Sequence, residues 1–196
     1  MPSECDVIDG TRLIVGVTGG IAAYKTVEVV SRLVQRGAQV TVAMTDAATR
    51  FVTPLTFQAI SGRPVYTSQW EHVESQDPQH VALATAAVAV LVAPCTMDCL
   101  AKLAAGRTDD VVTLIVSAVD RARAPVLLAP SMNAVMWAQP STRRNVEMLT
   151  RDGFGFVGPD EGWQACRHVG PGRMSEPERL VEALQQAVAG SAGRTV

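Results

Sequence analysis

The stretch "AAVAVLVAP" (residues 86–94) decides the fold. It carries no polar side chain and ends at a proline. A strand with one wet face alternates apolar and polar residues, and this run does not alternate. It reads as a strand covered on both faces, as in the middle of a parallel sheet. Outward from it, "RLIVGV" (residues 12–17) and "AQVTVAMT" (residues 38–45) are further strands. Between them, "IAAYKTVEVVSRLVQRG" (residues 21–37) repeats apolar residues at helical spacing and stops at Gly37, a good residue to end a helix. "TPLTFQAISG" (residues 53–62) reads as a short helix with proline in its first turn. Residues 64–79 are mixed and give no clear element.

On the C-terminal side, "TMDCLAKLAAG" (residues 96–106) and "DDVVTLIVSAV" (residues 109–119) are two helical segments, and "APVLLAP" (residues 124–130) is the next strand. That strand runs through "SMN" into "AVMW" (residues 134–137), a second apolar patch with the look of core. Asn133 is then the puzzle, because an amide needs hydrogen-bond partners. "PSTRRNVEMLTRDG" (residues 140–153) is a polar-faced helix, "FGFVGP" (residues 154–159) a last short strand, and "SEPERLVEALQQAVAG" (residues 175–190) a helix with Ser175 or Glu176 near its cap. Alternating strands and helices predict an α/β fold, a parallel sheet with helices on both faces. Ligands of such sheets sit at the carboxyl ends of the strands. Four loops share that rim: Thr18-Gly19-Gly20, Met44-Thr45-Asp46, Pro94-Cys95-Thr96 and Pro130-Ser131-Met132-Asn133. Asn133 is therefore expected to face a ligand.

The bulk properties agree. The 196 residues suit a single domain, with frayed tails expected at about residues 1–10 and 190–196. Hydrophobic residues make up 47% and charged residues 18%, too apolar for a disordered chain. A net charge of −2 gives no nucleic-acid footprint. No apolar run approaches the length of about 18 residues that would suggest a membrane span, and the polar start is not a signal peptide. A cytoplasmic, reducing location is expected, with Cys5, Cys95, Cys99 and Cys166 as thiols. Cys95 and Cys99 lie four apart with no third ligand nearby, so they read as buried thiols and no metal site is expected.

Three motifs bear on function. "GVTGGIAAYK" (residues 16–25) is a glycine turn opening a helix: an anion site formed by backbone amides, or only a tight turn. It is not the dinucleotide fingerprint G-x-G-x-x-G. His80 stands before an alanine-rich stretch and is either structural or chemical. "ACRHVGPGRM" (residues 165–174) carries a thiol among glycines and looks too long and sharp for a plain hairpin. It reads as a mobile lid over a site, or as a surface loop with an incidental cysteine.

Together these stretches resemble the flavin-containing cysteine decarboxylases, nearest the branch acting on 4′-phosphopantothenoylcysteine in coenzyme A biosynthesis. The resemblance rests on "GVTGGIAAYK", "VAMTDAATRFVTPLTFQAISG", "HVALA", "LVAPCTMDCLAKLAAGRTDDVVT", "LAPSMNAVMW", "RRNVEMLTRDGFGFVGPD" and "ACRHVGPGRMSEP", in order over nearly the whole chain. Pro-x-Met-Asn-x-x-Met-Trp and Ala-Cys…Gly-x-Gly-Arg-Met are its specific parts. It implies a three-layer α/β fold of the Rossmann-like, flavodoxin type, with FMN bound between subunits of a homotrimer or a multiple such as a dodecamer. It assigns Gly19, Gly20, Ile21, Thr45, Thr96, Met97, Asp98, Cys99 and Ser131 to the flavin. His80 matches the active-site histidine, Asn133 the ligand of the substrate carboxylate, and Cys166 the lid cysteine that acts as an acid in the final reduction. By the same resemblance Met136, Ala165, Arg167, Arg173 and Met174 would be further substrate contacts. The small-molecule substrate would be a cysteinyl compound, made by a separate synthetase because the chain stops at Val196.

The lid departs from the family's usual Ala-Cys-Gly-Asp: here it reads Ala-Cys-Arg-His. Arginine there could grip a phosphate, or mark a different substrate. Three alternatives follow: a decarboxylase of peptide C-terminal cysteines, a flavin prenyltransferase, and a flavin-binding regulatory protein without chemistry. The lid cysteine argues against the first, the Pro-x-Met-Asn and Ala-Cys patterns against the second. Keeping His80, Asn133 and Cys166 together argues against the third.

Overall fold

The computed structural model describes residues 6–71 and 78–192. In chain order it runs β1 (Arg12–Val17), α1 (Ala23–Gln35), β2 (Gln39–Met44), α2 (Asp46–Thr49), α3 (Pro54–Ser61) and β3 (Val65–Tyr66). Then come α4 (Gln79–Ala86), β4 (Ala89–Cys95), α5 (Met97–Ala104), α6 (Val111–Ala118), β5 (Val126–Pro130), α7 (Ala134–Ala138), α8 (Pro140–Arg151) and β6 (Gly155–Phe156). An antiparallel pair, β7 (Asp160–Trp163) and β8 (Val169–Arg173), precedes the closing helix α9 (Pro177–Ala192).

Six strands form one parallel sheet in the order β3-β2-β1-β4-β5-β6. Of the two doubly wound arrangements, this is the Rossmann order. The expected three layers are present because strand side chains alternate faces. Leu13, Val15 and Val17 of β1 pack with Val29, Val30 and Leu33 of α1, Phe57 of α3 and Leu180 of α9. Ile14 faces the other way, into a second core with Leu100 of α5, Val112 of α6 and Leu149 of α8. On that face Gly16 is a packing requirement, since a Cβ there would lie 2.8 Å from Val112 Cγ1. Every residue of β4 is buried. Helix α1 is tied to it by Thr26, whose hydroxyl donates to the Ala93 carbonyl at 2.7 Å.

Several sequence expectations need correction. The apolar run read as a strand from residue 86 is a helix end first: α4 stops at Ala86, and β4 begins at Ala89. Alanine and valine serve either state, so the boundary was invisible. Residues 6–10 do not fray, because Ile8 is fully buried in the core and Gly10 donates to the Gly37 carbonyl. Helix α9 likewise runs through Ala192. Cys5 lies outside the described residues. The patch 134–137 is not core: it is the short helix α7, without a buried residue, and Val135 is 69% exposed. The lid stretch, read as too long for a plain hairpin, does form one. Trp163 pairs with Val169, and residues 164–168 make the tip. Arg167 can turn that tip because it takes the left-handed region at φ 67°, where glycine is usual.

Two substitutions separate core from surface. Leu128→Ala removes a fully buried side chain of β5 and should cost about 2–5 kcal/mol in urea unfolding with unchanged slope. Val135→Ala, on exposed α7, should stay within about 0.5 kcal/mol of the parent.

Candidate active site

The strand order reverses between β1 and β4, and the crevice opens where these strands end. Thr18 stitches that point. Its buried hydroxyl donates to the Pro94 carbonyl at 2.7 Å and accepts from the Thr96 amide at 3.1 Å. Thr96 in turn caps α5, accepting from the Cys99 amide at 3.3 Å. Thr45 caps α2 by accepting from the Ala48 amide at 3.2 Å. These hydroxyls close the loop ends with local bonds, as helix caps do.

The glycine turn sits between. A Cβ on Gly19 would lie 2.4 Å from Ala47 Cβ, so only glycine lets α2 approach. Gly20 is different: a Cβ there would make ordinary contact with Thr96 at 3.5 Å. Its bareness serves the open side of the turn. The first local bond of the turn comes from the Ala23 amide to the Gly20 carbonyl. The amides of Gly20, Ile21 and Ala22 precede it and have no acceptor among the described residues. Such orphan donors at a helix start suit an anion.

Together the loops border a cleft of about 1130 Å³, at the top of the range for small-ligand sites and large enough for a cofactor with a substrate. Fifteen expected residues line it: Gly19, Gly20, Ile21, Thr45, Thr96, Met97, Asp98, Cys99, Ser131, Asn133, Met136, Ala165, Cys166, Arg173 and Met174. Two do not. His80 is half-buried on the first turn of α4, and Arg167 is exposed at the hairpin tip; neither borders this cleft.

Asn133 caps α7. Its Oδ1 accepts from the Met136 amide at 2.8 Å, and its side chain borders the cleft. The cap consumes the acceptor end of the amide, leaving the NH₂ donors for a ligand. The hairpin borders the same cleft through Trp163, Gln164, Ala165 and Cys166. Cys166 is an exposed free thiol at its tip, with Sγ 3.6 Å from Gln164 Oε1. Cys95 and Cys99 are buried, as expected, and burial with a bond to Cys99 pushes the Cys95 thiol up.

Of the charged residues at the cleft, Arg173 and Asp98 were expected there, while Lys25, Lys102, Asp109 and Asp110 were not. Lys25 contacts Glu176 at 3.0 Å, and Arg173 pairs with the same carboxylate. Across the cleft, Lys102 meets Asp98 at 3.2 Å, Asp109 at 3.2 Å and Asp110 at 3.0 Å. Desolvation pulls the Lys102 ammonium down, but the bonds to Asp110 and Asp109 outweigh it and hold it above its usual range. Trp163, Tyr24 and Gln164 also line the cleft unforeseen.

Comparison with known proteins decides the lineage. A family model described as Flavoprotein matches residues 3–189. The chain belongs to the flavoprotein family. It is 46% identical over 177 residues to the coenzyme A biosynthesis bifunctional protein CoaBC of Vibrio parahaemolyticus, covering 90% of this chain and 44% of that one. The corresponding Bacillus subtilis protein is 42% identical over 180 residues, 92% of this chain and 44% of that protein. The chain thus spans under half the length of these relatives. Among solved structures it resembles a PPC decarboxylase mutant, cysteine to serine, complexed with pantothenoylaminoethenethiol, at TM-score 0.82 and 25% identity, covering 90% of this chain and 97% of that one. It also resembles the FMN-dependent cysteine decarboxylase SpaF at TM-score 0.80 and 30% identity, covering 94% and 99%. Among the described residues no helix is long and apolar enough to cross a membrane.

The two glycines of this flavoprotein's turn predict different outcomes. Gly19→Ala should lower stability by about 1–3 kcal/mol, because Ala47 is in the way. Gly20→Ala should keep stability within about 0.5 kcal/mol yet lower the flavin content of the purified protein. Scanning calorimetry beside the visible spectrum reads both. In a Cys5→Ser background, Cys166 should react quickly with a thiol reagent, while Cys95 and Cys99 respond only after denaturation.

Proposed function

We propose that this flavoprotein is an FMN-dependent carboxy-lyase that converts 4′-phosphopantothenoylcysteine to 4′-phosphopantetheine. The observation that carries the reading is the meeting of an Asn133 amide and a Cys166 thiol over one cleft floored by the glycine turn. The coenzyme A relatives supply the substrate, and the likeness to a structure holding an aminoethenethiol supplies the reaction class.

The cleft fits FMN: the unpartnered amides of Gly20, Ile21 and Ala22 suit its phosphate, and the bare Gly20 leaves them room. Gly19, Thr45, Thr96, Met97, Asp98, Cys99 and Ser131 would border it. Bound FMN supplies a two-electron oxidation and its reversal. The chain's own residues do the rest. Asn133 donates to the substrate carboxylate through its free NH₂. A neutral donor orients that group without the ion pair that would stabilise the starting charge, which is lost as carbon dioxide departs. Once the cysteinyl CH₂–SH carbon is a thioaldehyde, it accepts the electron pair of the breaking C–C bond, and an enethiolate results. Cys166 gives a proton to the carbon that lost its carboxylate. The hairpin covers the site, with Met136, Ala165, Arg173 and Met174 against the substrate. An accessible thiol acid suits a reducing cytoplasm. His80 does not border the cleft of its own chain, so its role belongs with a homotrimer or multiple, in which a neighbouring copy would bring it. The reading calls for a phosphopantothenoylcysteine synthetase to provide the substrate.

Arg167 favours one second reading, a different cysteinyl substrate such as a peptide ending in cysteine. It holds a left-handed backbone and places a cation where the family usually has glycine.

The deciding experiment adds 4′-phosphopantothenoylcysteine to the yellow protein and follows carbon dioxide and product mass. Release of carbon dioxide with 4′-phosphopantetheine is expected; an untouched substrate beside turnover of a C-terminal cysteine peptide moves the assignment to the second reading. Asn133→Asp should keep fold and flavin, because aspartate caps helices as well, while carbon dioxide release falls about 10- to 100-fold. An active Asn133→Asp protein would remove Asn133 from the carboxylate.

A further inference from the structure

Gln164 is the one buried side-chain amide among the described residues, 8% exposed, at the base of the hairpin tip. Its bonding is complete. Nε2 donates to the Pro171 carbonyl at 2.8 Å and the Gly170 carbonyl at 3.3 Å. Oε1 accepts from the Ala134 amide at 3.2 Å and faces the Cys166 thiol at 3.6 Å. The partners fix the amide's orientation: carbonyls require the NH₂ end on one side, and an N–H requires the oxygen on the other. Its backbone closes the tip as well, donating to the His168 carbonyl and accepting from the Arg167 amide, both at 2.9 Å.

These bonds join two pieces that sequence separates. Ala134 follows Asn133 and opens α7; Cys166 lies 2 residues beyond Gln164. The pieces also touch through backbone. Met132 donates to the Gly172 carbonyl at 2.9 Å, and a Cβ on Gly172 would lie 2.3 Å from the Met132 oxygen. A Cβ on Gly170 would meet Ala134 Cβ at 3.0 Å. The hairpin thus rests directly on the loop of Asn133, and one side-chain oxygen bridges that loop to the thiol.

We propose that Gln164 is a positioning residue that sets the register between Asn133 and Cys166. The inference rests on the function proposed above. In that reaction the carboxylate and the carbon to be protonated are neighbours in one small molecule, so ligand and acid must keep a fixed separation. Small displacements of aligned groups are costly. With the register lost, carbon dioxide still leaves, but the enethiol escapes before it is protonated and reduced, and the two electrons it gave up stay on the flavin, so each turnover of this kind needs dissolved oxygen to restore the oxidised cofactor.

Gln164→Met keeps length and volume, leaves the two backbone bonds and removes every side-chain bond. Two readouts suffice: the fraction of decarboxylated product released two hydrogens short, by mass, and hydrogen exchange at the Ala134 amide. The unreduced fraction should rise about five- to tenfold, and Ala134 exchange should accelerate by a similar factor, with flavin retained. In a Cys166→Ala background the same substitution should barely move the product ratio, because Gln164 acts through the thiol. An unchanged product ratio in the Cys166 protein overturns the proposal, as does an equal fall of both steps with loss of flavin. Should Gln164→Met not fold, Gln164→Asn, one methylene short of Ala134 and the thiol, gives the same readouts. If the parent protein releases no carbon dioxide, the function fails instead, and Ala134 exchange decides whether Gln164 still ties the two pieces: unchanged exchange overturns the tie.

Discussion

Strand β4 is buried from Ala89 to Cys95, with a neighbouring strand on each side and a helical layer on each face. Such a strand has nowhere along its length to present a polar group, so chemistry is confined to the point where the chain leaves the sheet. The other elements follow from this. Thr18 fastens the end of β1 to the end of β4, and the same hydroxyl aligns Thr96 at the start of α5. The ends of β1, β2, β4 and β5 feed loops onto one rim, and Thr45, Thr96 and Asn133 satisfy their helix starts with their own side chains. Groups left over after capping, the amides of the glycine turn and the NH₂ of Asn133, are those a ligand can use.

Above this floor the hairpin obeys a second rule, close approach of backbone to backbone. Glycine at 170 and 172 lets β8 lie against the loop of residues 132–134. With so little side chain in the contact, hydrogen bonds set its register: the Met132 amide to the Gly172 carbonyl, and the Ala134 amide to Gln164, whose other end is held by the carbonyls of Gly170 and Pro171. Lys102 holds the facing border, since an ammonium shared by Asp98, Asp109 and Asp110 fixes the start of α5 relative to the start of α6.

The sheet was legible because apolar runs and glycine stops record burial and turning directly. The rim was legible for the same reason: strand ends locate it. Chemistry along the rim was legible only through resemblance, since neither Asn133 nor Cys166 stands in a pattern that spacing alone would single out. Exposed apolar residues caused the misreading of α7, because Val135 and Met136 look the same in a sequence whether core or ligand covers them. Gln164 and the Lys102 cluster were silent, as their partners lie on separate elements. His80 and Arg167 illustrate the converse: two residues assigned to a site by their place in a stretch of sequence do not border the cleft of this chain.

The β7–β8 pair shares no strand with the main sheet. It rests on the rim through a few backbone contacts and one amide, while most of the apolar core lies beneath, between sheet and helices. Its length, its tip and the residues flanking Cys166 are therefore free to drift without unravelling what is below. Divergence can rewrite the cover of such a molecule like an interchangeable part, retuning what is admitted while the machinery underneath stays inherited. The arginine at the tip is the kind of change this separation permits.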